Sequence, residues 1–392
     1  MNTFAYGLSD WQRLDSAAVV NRLIFESTIP PVNNAYRSSL IRSLLTFAFY
    51  YVRSRFLRRT GPLDLAPPTL CFGFFKNELA AIDDAIRRHP DWHKRTMSLS
   101  RMQGIDWKSV FDPALSLLPA FLRSTRDAGG WPALSNFVYP FTGLLLMKYL
   151  ERQFAHASAR PVVLTTNMMH PLSLGVHLAA RRAGLTTFFW EHSMTPRFIA
   201  RDMGYDHYYL RCEHTRRSFM AAGVPASRLA LIGNSGPTPS PAPVPTAFAR
   251  VGIAVNDLDR MEEIRGVIDM LVAARKQVIL RAHDSDRRFG RLQQMASSCN
   301  IDFSDASGSS IHQFMTTVDL IIAGNSNVVL DCLMAAMPVI YYWPGDAQLF
   351  DYYGIVAAAG CESATALAEL EQKLRCAPTI SMSEGEGRHA GI

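Results

Sequence analysis

Cysteine is scarce in this chain: six in 392 residues, at positions 71, 212, 299, 332, 361 and 376, with no two of them two residues apart and no His pair at zinc spacing. That scatter excludes a disulfide-stapled miniprotein and a zinc ribbon, and it fits a reduced, cytosolic setting. Long apolar runs are missing too. Asp10, Gln12, Arg13 and Asp15 interrupt the amino terminus where a secretory signal would need a continuous apolar segment. The longest charge-free apolar stretch nearby, 43–52, is about half of a membrane-spanning helix. A Walker loop and a glycine-rich dinucleotide fingerprint are absent, because Gly233-Asn234-Ser235-Gly236 has the wrong spacing and leads into a proline run. A P-loop ATPase and a fingerprint dehydrogenase are thereby disfavoured. Lysine supplies only six of the 40 basic residues, and the net charge of +6 is too mild to indicate nucleic acid as a partner.

What is present is ordinary globular composition, 48% hydrophobic and 19% charged, with length for two or three domains. Residues 1–66 read as a helical extension. Within it, an aromatic stretch from Leu44 to Val52 precedes Arg53, Arg55, Arg58 and Arg59. This segment reads either as a core-packed helix with a solvated basic end or as a peripheral contact of residues 44–59 with the inner face of an anionic membrane.

After Pro67 and Pro68, short apolar runs alternate with helix-length segments, the pattern of an α/β domain with a parallel sheet. Strands are expected at 70–75, 96–100, 161–166, 186–190, 208–211 and 230–232, with helices at 78–89, 110–125, 139–154, 172–183 and 213–222. Prolines 237, 239, 241, 243 and 245 cannot occupy a helix interior or a central strand, so 237–248 reads as a linker closing a domain at 67–236. The alternation restarts over 249–376, with strands at 251–255, 278–281, 301–303, 320–323 and 339–343 and helices at 260–274, 287–298, 309–316, 327–336 and 364–375. Two Rossmann-like parallel-sheet domains facing a cleft are expected, followed by a fraying tail at 377–392.

In open parallel sheets, ligands bind beyond the carboxyl ends of the strands, which selects a short set of residues. Asn325-Ser326-Asn327 follows one apolar run and opens a helix. Its Ser326 is a natural N-cap, so the start could present N–H groups and a positive dipole end to a phosphate, or could simply be a cap. Arg281 and His283 end another strand and offer a cation and an imidazole to the same anion. Asn256, Asp257 and Asp346 end further strands and could contact a base or ribose. In the first domain, Glu191, His170 and His192 follow strands and are ordered in that sequence as candidate general bases.

These segments resemble the two-domain GT-B glycosyltransferases of bacterial surface polysaccharide assembly, a group that includes capsule transferases, sialyltransferases and teichoic-acid glycerophosphotransferases. Glu191-His192-Ser193 resembles a Gln-His-Gly segment, and 223–234 resembles the end of the first domain. Arg281-Ala282-His283-Asp284 resembles a His-Pro motif with Asp284 in place of the proline. Asn325-Ser326-Asn327 resembles a paired-serine motif with one serine kept, ahead of Met337-Pro338-Val339-Ile340. The resemblance spans about residues 160–345. It implies a cytoplasmic, metal-independent transferase with no permanently bound cofactor, in which His283 and Ser326 hold the donor phosphate and the domains close across the linker. The co-substrate would be a CMP-, CDP- or UDP-linked sugar and the acceptor a saccharide or glycolipid hydroxyl. A nucleotide-sugar epimerase of the same fold and a catalytically silent nucleotide-binding subunit of an assembly complex are the competing expectations.

Overall fold

The computed structural model describes residues 68–74, 76–96, 138–155, 160–168, 170–193, 195, 200, 202–232, 248–256, 258–283, 286–345, 347, 350–351, 353–356 and 361–375. The expectations for 1–66, the helix at 110–125, the linker up to 247, the tail, Asp257 and Asp346 lie outside the described residues. The chain divides into two compact units, Met1–His192 with Ala200–Gly233, and Ser193–Ile199 with Asn234–Ile392.

The first unit runs β1 (Thr69–Gly73), α1 (Lys76–Arg88), β2 (His93–Thr96), α2 (Val138–Ala155), β3 (Val162–Thr165), α3 (Pro171–Arg182), β4 (Thr187–Trp190), β5 (His207–Leu210), α4 (Glu213–Ala221) and β6 (Leu229–Leu231). Its strands form one sheet in the order β2-β1-β3-β4-β5-β6, with every pairing parallel. Burial on both faces explains why β1 reads Thr-Leu-Cys-Phe-Gly with every residue buried, instead of alternating. A strand is described at His93–Thr96, meeting the expected 96–100 at Thr96, and 97–100 lie outside the described residues. Among the described residues it pairs with β1 alone and carries His-Lys-Arg-Thr, so no apolar run marked it.

Helix α3 starts at Pro171, whose missing N–H costs nothing at a first turn, and His170 caps it. It is buried from Leu172 through Arg181, as a helix covered on both sides must be, since it packs on β3 and on α2. The α2 contact is backbone to backbone. A Cβ placed on Gly175 would overlap the carbonyl oxygen of Gly143, so only glycine fits there.

The second unit runs β7 (Arg250–Ala254), α5 (Met261–Ala273), β8 (Gln277–Ala282), α6 (Phe289–Ser298), β9 (Asp302–Asp305), α7 (Ile311–Met315), β10 (Leu320–Ala323), α8 (Asn327–Met334), β11 (Val339–Tyr342), β12 (Ser363–Ala364) and α9 (Leu367–Arg375). The sheet order is β12-β11-β10-β7-β8-β9, again all parallel. A sixth strand, β12, went unexpected because two residues carry no pattern. Val251, Ile253, Ile268, Leu271, Leu280, Ile322 and Ile340 centre the core. Gly252 is required beneath Phe314, whose Cζ would stand 2.7 Å from an added Cβ.

The two parallel-sheet units match the expected fold class. Among the described residues, no helix is long and apolar enough to cross a membrane.

Candidate functional site

The order of the second sheet reverses at β7. The chain moves outward through β8 and β9, then returns to place β10 on the other side of β7. The crevice beyond the carboxyl ends of β7 and β10 is therefore its topological switch point, the ligand position that parallel sheets favour. Asn256 follows β7, Asn325-Ser326-Asn327 follow β10, and His283 follows β8. The expected donor residues thus share one edge, with the β8 and β10 ends two strand spacings apart, about 10 Å.

Hydrogen bonds lace these ends together. The Asn256 side-chain amide donates to the Asn325 backbone oxygen at 2.7 Å. Arg288, just beyond β8, donates to the Asn256 carbonyl at 2.6 Å and to the Asp259 carbonyl, while Asp286 holds its guanidinium at 2.6 Å. Within the β7 turn, Asp259 Oδ2 accepts from the Asn256 N–H at 2.8 Å. On the other side, Tyr341 in β11 donates its hydroxyl to Asn325 Oδ1 at 2.8 Å and accepts from the Asp351 N–H at 2.8 Å.

Ser326 caps α8 as expected. Its backbone is extended, with φ −136° and ψ 144°, and its hydroxyl accepts from the Val328 N–H at 3.3 Å. Asn325 is buried, Ser326 and Asn327 are half-buried, and His283 is exposed. Arg281 departs from its expected role. Its guanidinium donates to Ser304 Oγ at 2.9 Å, Ser309 Oγ at 2.8 Å and the Ser309 carbonyl at 2.7 Å, with Phe314 beneath it at 5.1 Å. With those partners, Arg281 braces the β8–β9 edge.

Sequence reasoning missed Asp259, Arg288 and Tyr341. Asn256-x-x-Asp259 after an apolar run is a legible turn signal. A tyrosine inside a strand and an arginine near a helix start carry no such mark.

In the first unit the three candidate bases also follow strands, and their protonation separates them. His170 is buried, its Nδ1 accepts from the Leu172 N–H at 3.3 Å, and burial lowers its pKa to about 3. A neutral ring that accepts at Nδ1 carries its proton on Nε2, so His170 caps α3 and has no lone pair left to act as a base. Glu191 is buried, and its Oε2 accepts from the Arg211 N–H at 2.7 Å, which clamps the turn after β5. His192 is half-buried. Its Nδ1 faces the Thr166 carbonyl, which can only accept, so the proton sits on Nδ1 and Nε2 holds the lone pair. Burial lowers the His192 pKa to about 4, and the ring stays neutral near pH 7. Among the described residues, no group of three or more His, Cys, Asp or Glu side chains is placed to hold a metal ion.

No protein-family model matches the sequence. No curated protein matches it either. Solved structures do resemble the fold. The lipopolysaccharide outer core galactosyltransferase WaaB in its apo form is 12% identical over 78% of this chain and 95% of its own, with a TM-score of 0.39. UDP-GlcNAc 2-epimerase from Neisseria meningitidis, bound to UDP-GlcNAc, is 10% identical over 78% and 90%, with a TM-score of 0.49. The wall teichoic acid polymerase TagF is 11% identical over 80% and 80%, with a TM-score of 0.45. Likeness at this level is distant and extends to the fold alone.

Proposed function

We propose that the chain is a transferase that moves a glycosyl or related group from a nucleotide-activated donor to an acceptor hydroxyl. The second unit holds the donor and the first binds the acceptor. One observation carries the reading: the ends of β7, β8 and β10 are laced through Arg288, Asn256 and Asn325 at a topological switch point, beside a capped helix start. The amino-terminal end of α8 at that edge suits a phosphate leaving group, because its dipole is fixed in place and needs no reorganisation as charge develops. The resemblance of the His283 and Ser326 segments to donor-phosphate motifs supports the same assignment.

In the reaction, the acceptor hydroxyl gives its proton to His192 Nε2 as its oxygen bonds to the transferred carbon. The bond from that carbon to the donor phosphate breaks, and the electron pair leaves with the phosphate. The start of α8, capped by Ser326, offsets the phosphate charge, and His283 contributes from the end of β8 on the same sheet edge. The base assignment thus moves from Glu191 to His192, because Glu191 is committed to the backbone.

A thermal-shift screen against CMP, CDP, UDP, GDP and dTDP tests the reading, since a ligand present at a hundred times its Kd stabilises by about 2.7 kcal/mol. At least one nucleotide should raise the Tm. Failure of all five at millimolar concentration overturns the donor assignment. Isomerisation of a UDP-sugar with no acceptor present would identify an epimerase instead.

A further inference from the structure

Tyr341 lies in β11 and is 1% exposed, in register with Ala323 of β10. Asn325 stands two residues beyond Ala323, about 7 Å further along the strand direction. The ring of Tyr341 covers that gap and brings its hydroxyl to Asn325 Oδ1 at 2.8 Å. The same oxygen accepts from the Asp351 N–H at 2.8 Å. Because a backbone N–H can only donate, the hydroxyl proton is left for Asn325, and the Asn325 amide is held with Oδ1 towards Tyr341.

Both partners are themselves fixed. Asp351 has a left-handed backbone, φ 47°, in a turn where its carbonyl accepts from the Gly354 N–H at 2.7 Å and its Oδ1 from the Val356 N–H at 3.0 Å. Phe350 meets the Tyr341 ring edge-on, with centroids 5.4 Å apart. Asn325 is gripped from the β7 side, where its carbonyl accepts from the Asn256 amide at 2.7 Å, and it immediately precedes the Ser326 cap of α8. Phenylalanine would fill the same volume inside the strand. Among the described residues, what the hydroxyl adds is two bonds that both end beyond the carboxyl ends of the strands, at the edge where parallel sheets bind ligands.

We propose that Tyr341 is a positioning residue for the donor: through Asn325 it fixes the residue that leads into the α8 cap, so that the start of the helix meets the phosphate already oriented. This rests on the donor reading above. Tyr341 acts through Asn325 and not by contact with the ligand. Held by the β11 hydroxyl on one side and the β7 amide on the other, Asn325 keeps one orientation, and binding need not order it first.

The test is a double-mutant cycle in affinity: calorimetric titration with the nucleotide that gives the largest thermal shift, on the wild type, Tyr341→Phe, Asn325→Ala and the double variant. Y341F should raise the Kd about tenfold, the size of one lost hydrogen bond, and N325A at least as much. In the N325A background, Tyr341→Phe should change the Kd by less than about twofold, because the path it acts through is gone. A side chain that only stabilises the fold would lower the Tm and leave the Kd where it was. A Y341F Kd within about twofold of the wild type, or an equal loss in both backgrounds, overturns the proposal and leaves the donor reading standing. Binding of none of the nucleotides by the wild type overturns both. Should Y341F fail to fold, hydrogen exchange on the wild type replaces the cycle. Coupling between binding and the Tyr341 bonds is reciprocal, so saturating nucleotide should slow exchange of the Asp351 amide by about threefold or more. An Asp351 amide that exchanges at one rate with and without nucleotide overturns the proposal.

Discussion

Asn256 and Asn325 stand 69 positions apart in sequence, yet the side-chain amide of the first donates to the backbone oxygen of the second at 2.7 Å. The bond ties the turn after β7 to the turn after β10, on the two sides of the switch point. Asn256→Ala should cost about 1–3 kcal/mol of stability, since it leaves a partly buried carbonyl without this donor. It should also weaken nucleotide binding at least tenfold. Chemical denaturation and titration of the same samples check both, and a variant that binds normally would show that the tie does not serve the ligand.

Ser326→Ala removes the α8 cap and should cost about 1 kcal/mol, while His283→Ala, at an exposed position, should leave stability within about 0.5 kcal/mol of the wild type. Both should raise the Kd for the nucleotide several-fold or more. Unchanged affinity in both variants would remove the donor-site assignment.

The choice of base separates cleanly. His192→Gln should reduce kcat by about 10²–10⁴ with donor affinity unchanged. Glu191→Gln keeps an oxygen for the Arg211 N–H and should retain most of the activity. The reverse pattern, an inactive E191Q beside an active H192Q, would restore the glutamate as base.

Acid should unfold the first unit through its buried imidazoles. Burial lowers the pKa of His170 and of His177, each to about 3, against 6.5 for an ordinary histidine. Between those limits the unfolded chain binds protons that the native one refuses, so stability falls as pH drops below about 6.5. Two such groups give a slope of about 3 kcal/mol per pH unit near pH 5, and His192 and the carboxylates add to it. His170→Asn preserves a capping side chain and should reduce proton uptake on unfolding at pH 5 by about one. An unchanged uptake would mean that His170 is protonated in the native state.

Much of the fold was legible because parallel strands are buried on both faces and read as apolar runs. β10, Leu-Ile-Ile-Ala, and β7, Arg-Val-Gly-Ile-Ala, could be placed from composition alone. The polar edge strand β2 and the two-residue β12 could not. The proposed site was legible wherever a candidate side chain directly follows such a run, as with Asn256, His283, Ser326 and His192. Roles were harder to read than positions, because they depend on partners distant in sequence. Glu191 looks like a base until the Arg211 N–H takes its oxygen, and Arg281 looks like a phosphate ligand until Ser304 and Ser309 engage it. Tyr341 joins Asn325 to the Asp351 backbone, which no local pattern reveals.

The Gly143–Gly175 crossing bears on how the first unit opens. At that crossing no side chain spaces α2 from α3, so a closer approach of the helices there would drive main chain into main chain. Amide protons of the two helices should exchange with deuterium as a single cooperative block, and the His170 turn at the head of α3 should keep its shape until that block is lost.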